Sequence, residues 1–158
     1  MLPNRRHRRN VRDPPAEGPL RDRTVKHLSR LHALAYRVSG GRLGGRLVDN
    51  DMLLLTTTGR RTGSSHTVPL LYLRDDDALI VIASYGGRPE HPEWYRNLAV
   101  SPTAVAQVGS TRMSVVATTL DEEDRALWWP RIVEAYRDYA VYQSRTEREI
   151  PVVRLTPG

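Results

Sequence analysis

"MLLLTTTGRRTGSSHTVPLLYLRDDDALIVIAS" (residues 52–84) contains three runs of one kind. Residues 52–58, 66–73 and 78–84 are short, apolar and rich in branched side chains, with polar turn residues between them. Runs of that length, bounded by glycine, serine and aspartate, predict strands joined as a meander. The first connection, GRRTGS, carries two glycines; the second, RDDD, suits a solvated turn. Further along, residues 103–108 and 112–119 repeat the pattern around Gly109-Ser110, and residues 150–157 read as a last strand. Between the two sets lie a glycine-bearing loop and a short helix that starts near Pro92 and ends before Pro102. After Thr119, Asp121 is placed to cap a helix with an acidic first turn, and Pro130 predicts a kink or a restart within it. Six strands, with helices in the connections and at one end, indicate the α+β class and a small barrel.

Upstream of the meander the period changes. Leu20, Val25, Leu28, Leu31, Ala35 and Val38 recur near helical spacing, with Arg21, Arg23, Lys26, Arg30 and Arg37 mostly off that stripe. Residues 20–41 therefore read as an amphipathic helix stopped by Gly40 and Gly41, either packed on the domain as a lid or lying on a membrane surface. Residues 1–19 are basic, proline-rich and aperiodic, and are expected to be a disordered tail. Residues 20–158 are expected to form a single domain, as a length of 158 allows.

The gross composition narrows the function classes. With no cysteine, disulfides and thiolate chemistry are excluded. No apolar run approaches the ~20 residues of a membrane span, and the basic start lacks the apolar segment of a secretory signal, so a cytoplasmic protein is expected. Half of the net charge of +6 lies in residues 1–19, where five arginines face Asp13 and Glu17. The body is only mildly basic, and nucleic acid is not an expected partner. Lys26 is the single lysine among 24 basic side chains, which lowers the weight of any one arginine.

Catalytic constellations are absent from the pattern. His7, His27, His32, His66 and His91 have no metal-ligand spacing, and no metal is expected. There is no nucleophile elbow, phosphate loop or dinucleotide fingerprint. What remains is equipment for binding. Arg60 and Arg61 are adjacent on a turn with Thr62, Gly63 and Ser64 behind them, a combination that suits an anion as well as a plain hairpin. A second glycine-bearing loop, Ser84-Tyr85-Gly86-Gly87, follows the third strand and allows close approach of a flat ligand. Asn97, on the short helix, is placed either to donate to a ligand or to cap. Seven tyrosines and no phenylalanine occur in the chain, and Tyr136, Tyr139 and Tyr142 recur every three residues. On one helix they would spread over an arc of about 120°, as a ligand-facing wall or as an amphipathic contact.

Taken together, "LLLTTTGRRTG", "VPLLYLRD", "IVIASYGG", "PEWYRNL" and "TLDEEDRALWWPRIVEAYRDYAVYQSRTEREIPVVRL" resemble, in this order, the deazaflavin-dependent nitroreductase family of actinobacteria, from about residue 28 to 157. That resemblance implies a split β-barrel and the 8-hydroxy-5-deazaflavin coenzyme F420, and a set of roles. Arg60, Arg61, Thr62 and Gly63 would meet the coenzyme's phosphate and oligoglutamate tail. Val68 and Pro69 would lie along the deazaflavin, Ser84, Tyr85, Gly86 and Gly87 would serve the ring system and linker, and Asn97 would hold the coenzyme from the short helix. Tyr136, Tyr139 and Tyr142, with Leu71, would wall the substrate side, and Tyr136 or Tyr139 would steer a proton. The reaction implied is hydride transfer to a flat, electron-poor acceptor such as a quinone, an activated enone or a nitroaromatic. Departures from the family pattern are Tyr85 in place of a basic residue, Arg61 where lysine is common, His66 where arginine is frequent, and Leu71 where some members offer a tyrosine. Two other readings stay open: a sister barrel enzyme using FMN, and a non-catalytic carrier of the deazaflavin or a fatty acid. A peripheral membrane contact through the basic N-terminal segment is compatible with a quinone substrate.

Overall fold

The computed structural model describes residues 52–158; the tail read over residues 1–19 and the helix read over residues 20–41 lie outside the described residues. Six strands are present: β1 (Met52–Thr58), β2 (Ser65–Asp75), β3 (Ala78–Ile82), β4 (Thr103–Val108), β5 (Thr111–Thr119) and β6 (Val152–Pro157). Three α-helices accompany them: α1 (Glu93–Val100), α2 (Glu122–Ala135) and α3 (Asp138–Ser144). The strands close a barrel in the order β1-β2-β3-β6-β5-β4, and each neighbouring pair is antiparallel.

Alternation explains the closure. Leu53 and Leu55 of β1, Leu79 and Val81 of β3, Ala104 and Ala106 of β4, Val115 of β5 and Val153 and Leu155 of β6 form one buried cluster inside the barrel. Their neighbours in sequence point outward, as the two-residue period requires. Strand β3 is buried on both faces, which accounts for its unbroken apolar run. Its other face carries Ile80 and Ile82, which join Val152, Ile150, Leu120, Trp128, Ile132 and Tyr139 in a second cluster. That second core seats α2 and α3 on the outside of β3 and β6.

One seam of the barrel is only half closed. Strand β2 pairs with β1 from Leu71 to Ser65, but with β3 only from Tyr72 to Asp75. Residues Ser65–Leu71 thus present an edge that β3 does not cover, about 20 Å long at the usual rise per residue. On the far side of this split, β3 ends at Ile82, two residues short of the run read from sequence. The Ala83 amide still bonds the Pro151 carbonyl at 2.9 Å, and the chain then leaves the sheet in a tight turn at Tyr85–Gly87.

Helix ends follow local chemistry in one place and tertiary contacts in another. Asp121 caps α2 as expected, its Oδ1 accepting from the Asp124 amide at 2.9 Å. Pro130, by contrast, neither ends nor restarts the helix, which runs through it to Ala135. Pro130 lies on the exposed side, so the carbonyl that loses its amide partner there is open to water. The break falls instead at Tyr136, which is extended (φ −141°, ψ 90°) and lets α3 fold back toward the turn at residues 85–87.

Candidate functional site

The residues singled out in the sequence distribute along the split. At its open end stands the turn between β1 and β2. The Gly59 amide bonds the Ser64 carbonyl (2.7 Å) and the Gly63 amide bonds the Gly59 carbonyl (2.8 Å). Gly63 is left-handed (φ 73°), the conformation that favours glycine. The two arginines on this turn have different environments. Arg61 is exposed, whereas the Arg60 side chain is only 14% accessible. Arg60 is drawn onto α1: its amide donates to Asn97 Oδ1 at 3.1 Å, its Nη1 reaches the same oxygen at 3.4 Å, and its guanidinium pairs with Glu93. Asn97 is itself buried and donates through Nδ2 to Thr57 Oγ1 at 3.2 Å, so it stitches α1 to both β1 and the turn. The hydrogen bond from Arg60 holds the Glu93 carboxyl below its usual range; burial opposes it, and the charges of Arg60, Arg96 and Arg61 add to the lowering. Arg60 Nη2 is buried and has no hydrogen-bond partner among the described residues. A donor left in that state costs free energy until an acceptor arrives.

Across the split lies the Ser84–Gly87 loop. Ser84 is right-handed (φ −73°, ψ −39°), and Tyr85 (φ 49°), Gly86 (φ 66°) and Gly87 (φ 78°) are all left-handed. A right-handed residue followed by a left-handed one turns successive amides toward a common point, a concavity that accepts anions and carbonyl oxygens. Tyr85 pays for this shape with a conformation that costs a non-glycine residue roughly 1–2 kcal/mol. At Gly87 a side chain has no room, because an added Cβ would lie 2.4 Å from the Tyr142 carbonyl oxygen. Arg145 adds a long contact from its Nη1 to the Gly86 carbonyl at 3.5 Å.

A residue passed over in the sequence reading holds this loop from behind. Arg148 donates from Nη2 to the Ser84 carbonyl (2.8 Å) and from Nη1 to the Ala83 carbonyl (3.2 Å), and its Nε donates to the Arg88 carbonyl at 2.9 Å. Its Nη1 also lies 3.3 Å from His91 Nδ1. Burial, followed by the charges of Arg148 and Arg96, keeps His91 below its ordinary pKa of 6.5, so the neutral ring faces the guanidinium. Nothing in the composition separates Arg148 from the other arginines of an arginine-rich chain. The signal that could have found it is its place just before Ile150-Pro151, where a strand is about to begin.

The tyrosines occupy the closed end of the split. Tyr136 donates its hydroxyl to the Tyr72 carbonyl at 3.3 Å, at the residue where β2 and β3 begin to pair. Tyr139 is buried in the second core, between Tyr136 and Tyr142, in edge-to-face contacts of 6.1 and 5.9 Å. Burial, reinforced by those two neighbours, pushes the Tyr139 hydroxyl above the usual tyrosine range. The three do not share one helix: Tyr136 sits at the break, and Tyr139 and Tyr142 lie on α3. Val68, Pro69 and Leu71 lie on the uncovered stretch of β2, with Val68 turned toward the barrel interior. The structure therefore brings Arg60 to Asn97, Gly86 and Gly87 to α3, and Tyr136 to Tyr72. It gives no direct contact between the arginine turn and the tyrosines.

The sequence pattern of the family described as F420H(2)-dependent quinone reductase matches residues 28–157. The chain belongs to this family. An F420H(2)-dependent quinone reductase of Mycobacterium tuberculosis is 43% identical over 133 residues, spanning 82% of this chain and 89% of the relative. Among solved structures, an F420-H2-dependent reductase is 40% identical with a TM-score of 0.61, covering 66% of this chain and 92% of its own. Another, described as a domain-swapped dimer, is 34% identical with a TM-score of 0.63, covering 86% of this chain and 96% of its own. The protein is thus an oxidoreductase of the split-barrel type that uses coenzyme F420 for hydride transfer to quinone-like acceptors. The donor set fits such a coenzyme: a buried guanidinium nitrogen without a partner among the described residues for an anionic group at one end, and the right-handed-then-left-handed Ser84–Tyr85 backbone across the split. Among the described residues no helix is long and apolar enough to cross a membrane, and no cluster of side chains could hold a metal ion.

Proposed function

We propose that the half-open seam between β2 and the Ser84–Gly87 loop is the coenzyme cleft of this quinone reductase. The observation that carries the reading is the departure of β2 from β3 at Leu71, which leaves a stretch of β2 that β3 does not pair, bounded by the arginine turn at one end and Tyr136 at the other. Arg60 and Arg61, with Thr62 and Gly63, hold the phosphate and oligoglutamate tail; a chain of negative charges makes two adjacent cations favourable. Asn97 acts through Arg60, fixing the guanidinium and the turn. Val68 and Pro69 on one wall and Ser84, Tyr85, Gly86 and Gly87 on the other flank the ring system. When bound, the reduced deazaflavin supplies a hydride.

The chain's own residues do the rest by position. The barrel and the loop hold donor and acceptor face to face, so that the reaction becomes effectively intramolecular. Leu71 and the tyrosines line the acceptor side and keep water scarce there. A quinone that gains a hydride also needs a proton on its oxygen. Tyr136 is the group for that task, because its half-buried hydroxyl stands at the closed end of the cleft, where it donates to the Tyr72 carbonyl over a long 3.3 Å bond that an acceptor oxygen can replace. Tyr139, deep in the second core, serves as the rigid backing for Tyr136 and Tyr142.

The same reading keeps the protein in the cytoplasm and assigns the basic segment of residues 20–41 to an anionic membrane surface, where quinones dissolve. Arg21, Arg23, Lys26, Arg30 and Arg37 are the residues that support it. Sedimentation with vesicles containing anionic lipid, with and without residues 1–41, tests that part separately. The cleft is tested by fluorescence titration with coenzyme F420 and with FMN, followed by turnover with menadione. Tight F420 binding, far weaker FMN binding and menadione reduction support the reading. FMN binding as tight as F420 binding refutes the role given to the arginine turn.

A further inference from the structure

We propose that Arg148 is the positioning residue that sets the coenzyme loop, and that it does so by gripping the back of the Ser84–Gly87 turn. This rests on the cleft assignment above and adds to it a residue that makes no contact with the coenzyme. The geometry of the peptide unit carries the inference. In a trans peptide the carbonyl and the following amide point in opposite directions, and no cis peptide is present among the described residues. Arg148 takes the carbonyls of Ala83 and Ser84 with its two terminal nitrogens. The amides of Ser84 and Tyr85 are the other halves of those same two peptides. They therefore point away from Arg148. A single planar fork thus orients two consecutive amides, and its Nε ties off the exit of the loop at the Arg88 carbonyl.

The fork is itself held. Gln143 of α3 donates from Nε2 to the Arg148 carbonyl at 2.9 Å, and its Oε1 accepts from the Ile150 amide and from Arg125 Nη2, both at 3.0 Å. The path from α2 to the loop is continuous: Arg125, Gln143, the 148–150 backbone, the Arg148 side chain, the loop carbonyls. It is needed because the loop is strained. Three consecutive left-handed residues, one of them Tyr85, would relax to other shapes without an external hold. A loop that spends a fraction of its time in the competent shape binds with an affinity reduced by that fraction. Lysine cannot replace the guanidinium fully, since its ammonium is a point donor and not a fork.

The test uses Arg148→Lys and Arg148→Met in the full chain, with Gly87→Ala as a direct loop perturbation. Each is titrated with F420 by fluorescence, and KM for F420 and for menadione are measured separately. Arg148→Met should raise the F420 dissociation constant and KM about tenfold to a hundredfold, and leave the menadione KM within a factor of about two. Arg148→Lys should recover part of the loss, and amide exchange of Ser84 to Gly87 in the ligand-free protein should be faster in Arg148→Met than in wild type. If Gly87→Ala weakens F420 binding while both Arg148 variants bind as wild type, the positioning role is refuted and the cleft stands. If Gly87→Ala also leaves F420 binding unchanged, the cleft assignment falls and takes this inference with it. Should Arg148→Met fail to fold, Arg148→Lys decides: wild-type affinity with wild-type loop exchange overturns the role.

Discussion

Replacing Arg60 with alanine separates two jobs that the side chain does at once. Among the described residues the Arg60 side chain makes one ion pair, with a Glu93 side chain that is 67% accessible, and one long bond of 3.4 Å to Asn97. Exposed pairs of this kind are worth about 0–1 kcal/mol. The shorter bond to Asn97 comes from the Arg60 backbone amide and survives the substitution. Folding stability should therefore fall by about 1 kcal/mol, or a few degrees in Tm for a domain of this size. Coenzyme binding should lose more on the proposed reading, because Nη2 has no acceptor among the described residues and an anionic group of the coenzyme would supply one. A charge-assisted bond of that sort is worth about 1.5–3 kcal/mol, or about a tenfold to 150-fold weaker F420 affinity. Fluorescence titration at several salt concentrations, beside a thermal melt, reads both effects. The salt dependence of F420 binding should be shallower in Arg60→Ala, since one ionic contact is gone. A large drop in Tm with unchanged F420 affinity would make Arg60 a structural residue and refute the reasoning.

Three further outcomes follow from the same geometry. Glu93→Gln removes the carboxylate that competes for Arg60 and should tighten F420 a few-fold at low salt, an advantage that titrations at high salt should erase. Tyr136→Phe should lower kcat with menadione by about 10²–10⁴ and leave the F420 dissociation constant nearly unchanged, whereas Tyr139→Phe, already buried, should alter turnover little; equal effects in the two variants would refute the division of labour. Because His91 is held below its ordinary pKa of 6.5, the unfolded chain takes up the proton first. Its contribution to stability is complete above about pH 6.5 and is lost as pH falls through the lower folded value, so His91→Gln should flatten the acid limb of a Tm-against-pH curve.

Alternation and turn residues made the six strands legible, because each strand's inward set is local to its own sequence. The Asp121 cap was legible for the same reason. The uncovered stretch of β2 was not, since whether Leu71 has a partner on its second edge depends on where β3 bends away. Nor could the helix break be placed at Tyr136. Pro130 carries the stronger local signal, but its lost bond faces water, while the break serves contacts with Gly87 and Tyr72, both far upstream in the chain. Arg60 and Arg61 were recognised as a pair, yet one is half-buried on α1 and the other exposed, a difference set by Glu93 and Asn97 on another element. Arg148 escaped notice because its partners are carbonyl oxygens, which leave no mark in a sequence.

A strand edge that its neighbour in the sheet does not follow is a place where a second chain can add itself, and the stretch of β2 proposed as the cleft has such an edge toward β3. Between Ser65 and Leu71 strand β2 ladders with β1, and β3 does not extend along its other edge. Pro69 stands within that stretch and has no amide hydrogen to offer an incoming strand. On the proposed reading, the opening for the coenzyme is thus guarded against self-association by a residue that a flat ring can lie against without loss of a hydrogen bond. An apoprotein stored without its coenzyme should be the form most prone to aggregate, and Pro69 the position at which that tendency is held in check.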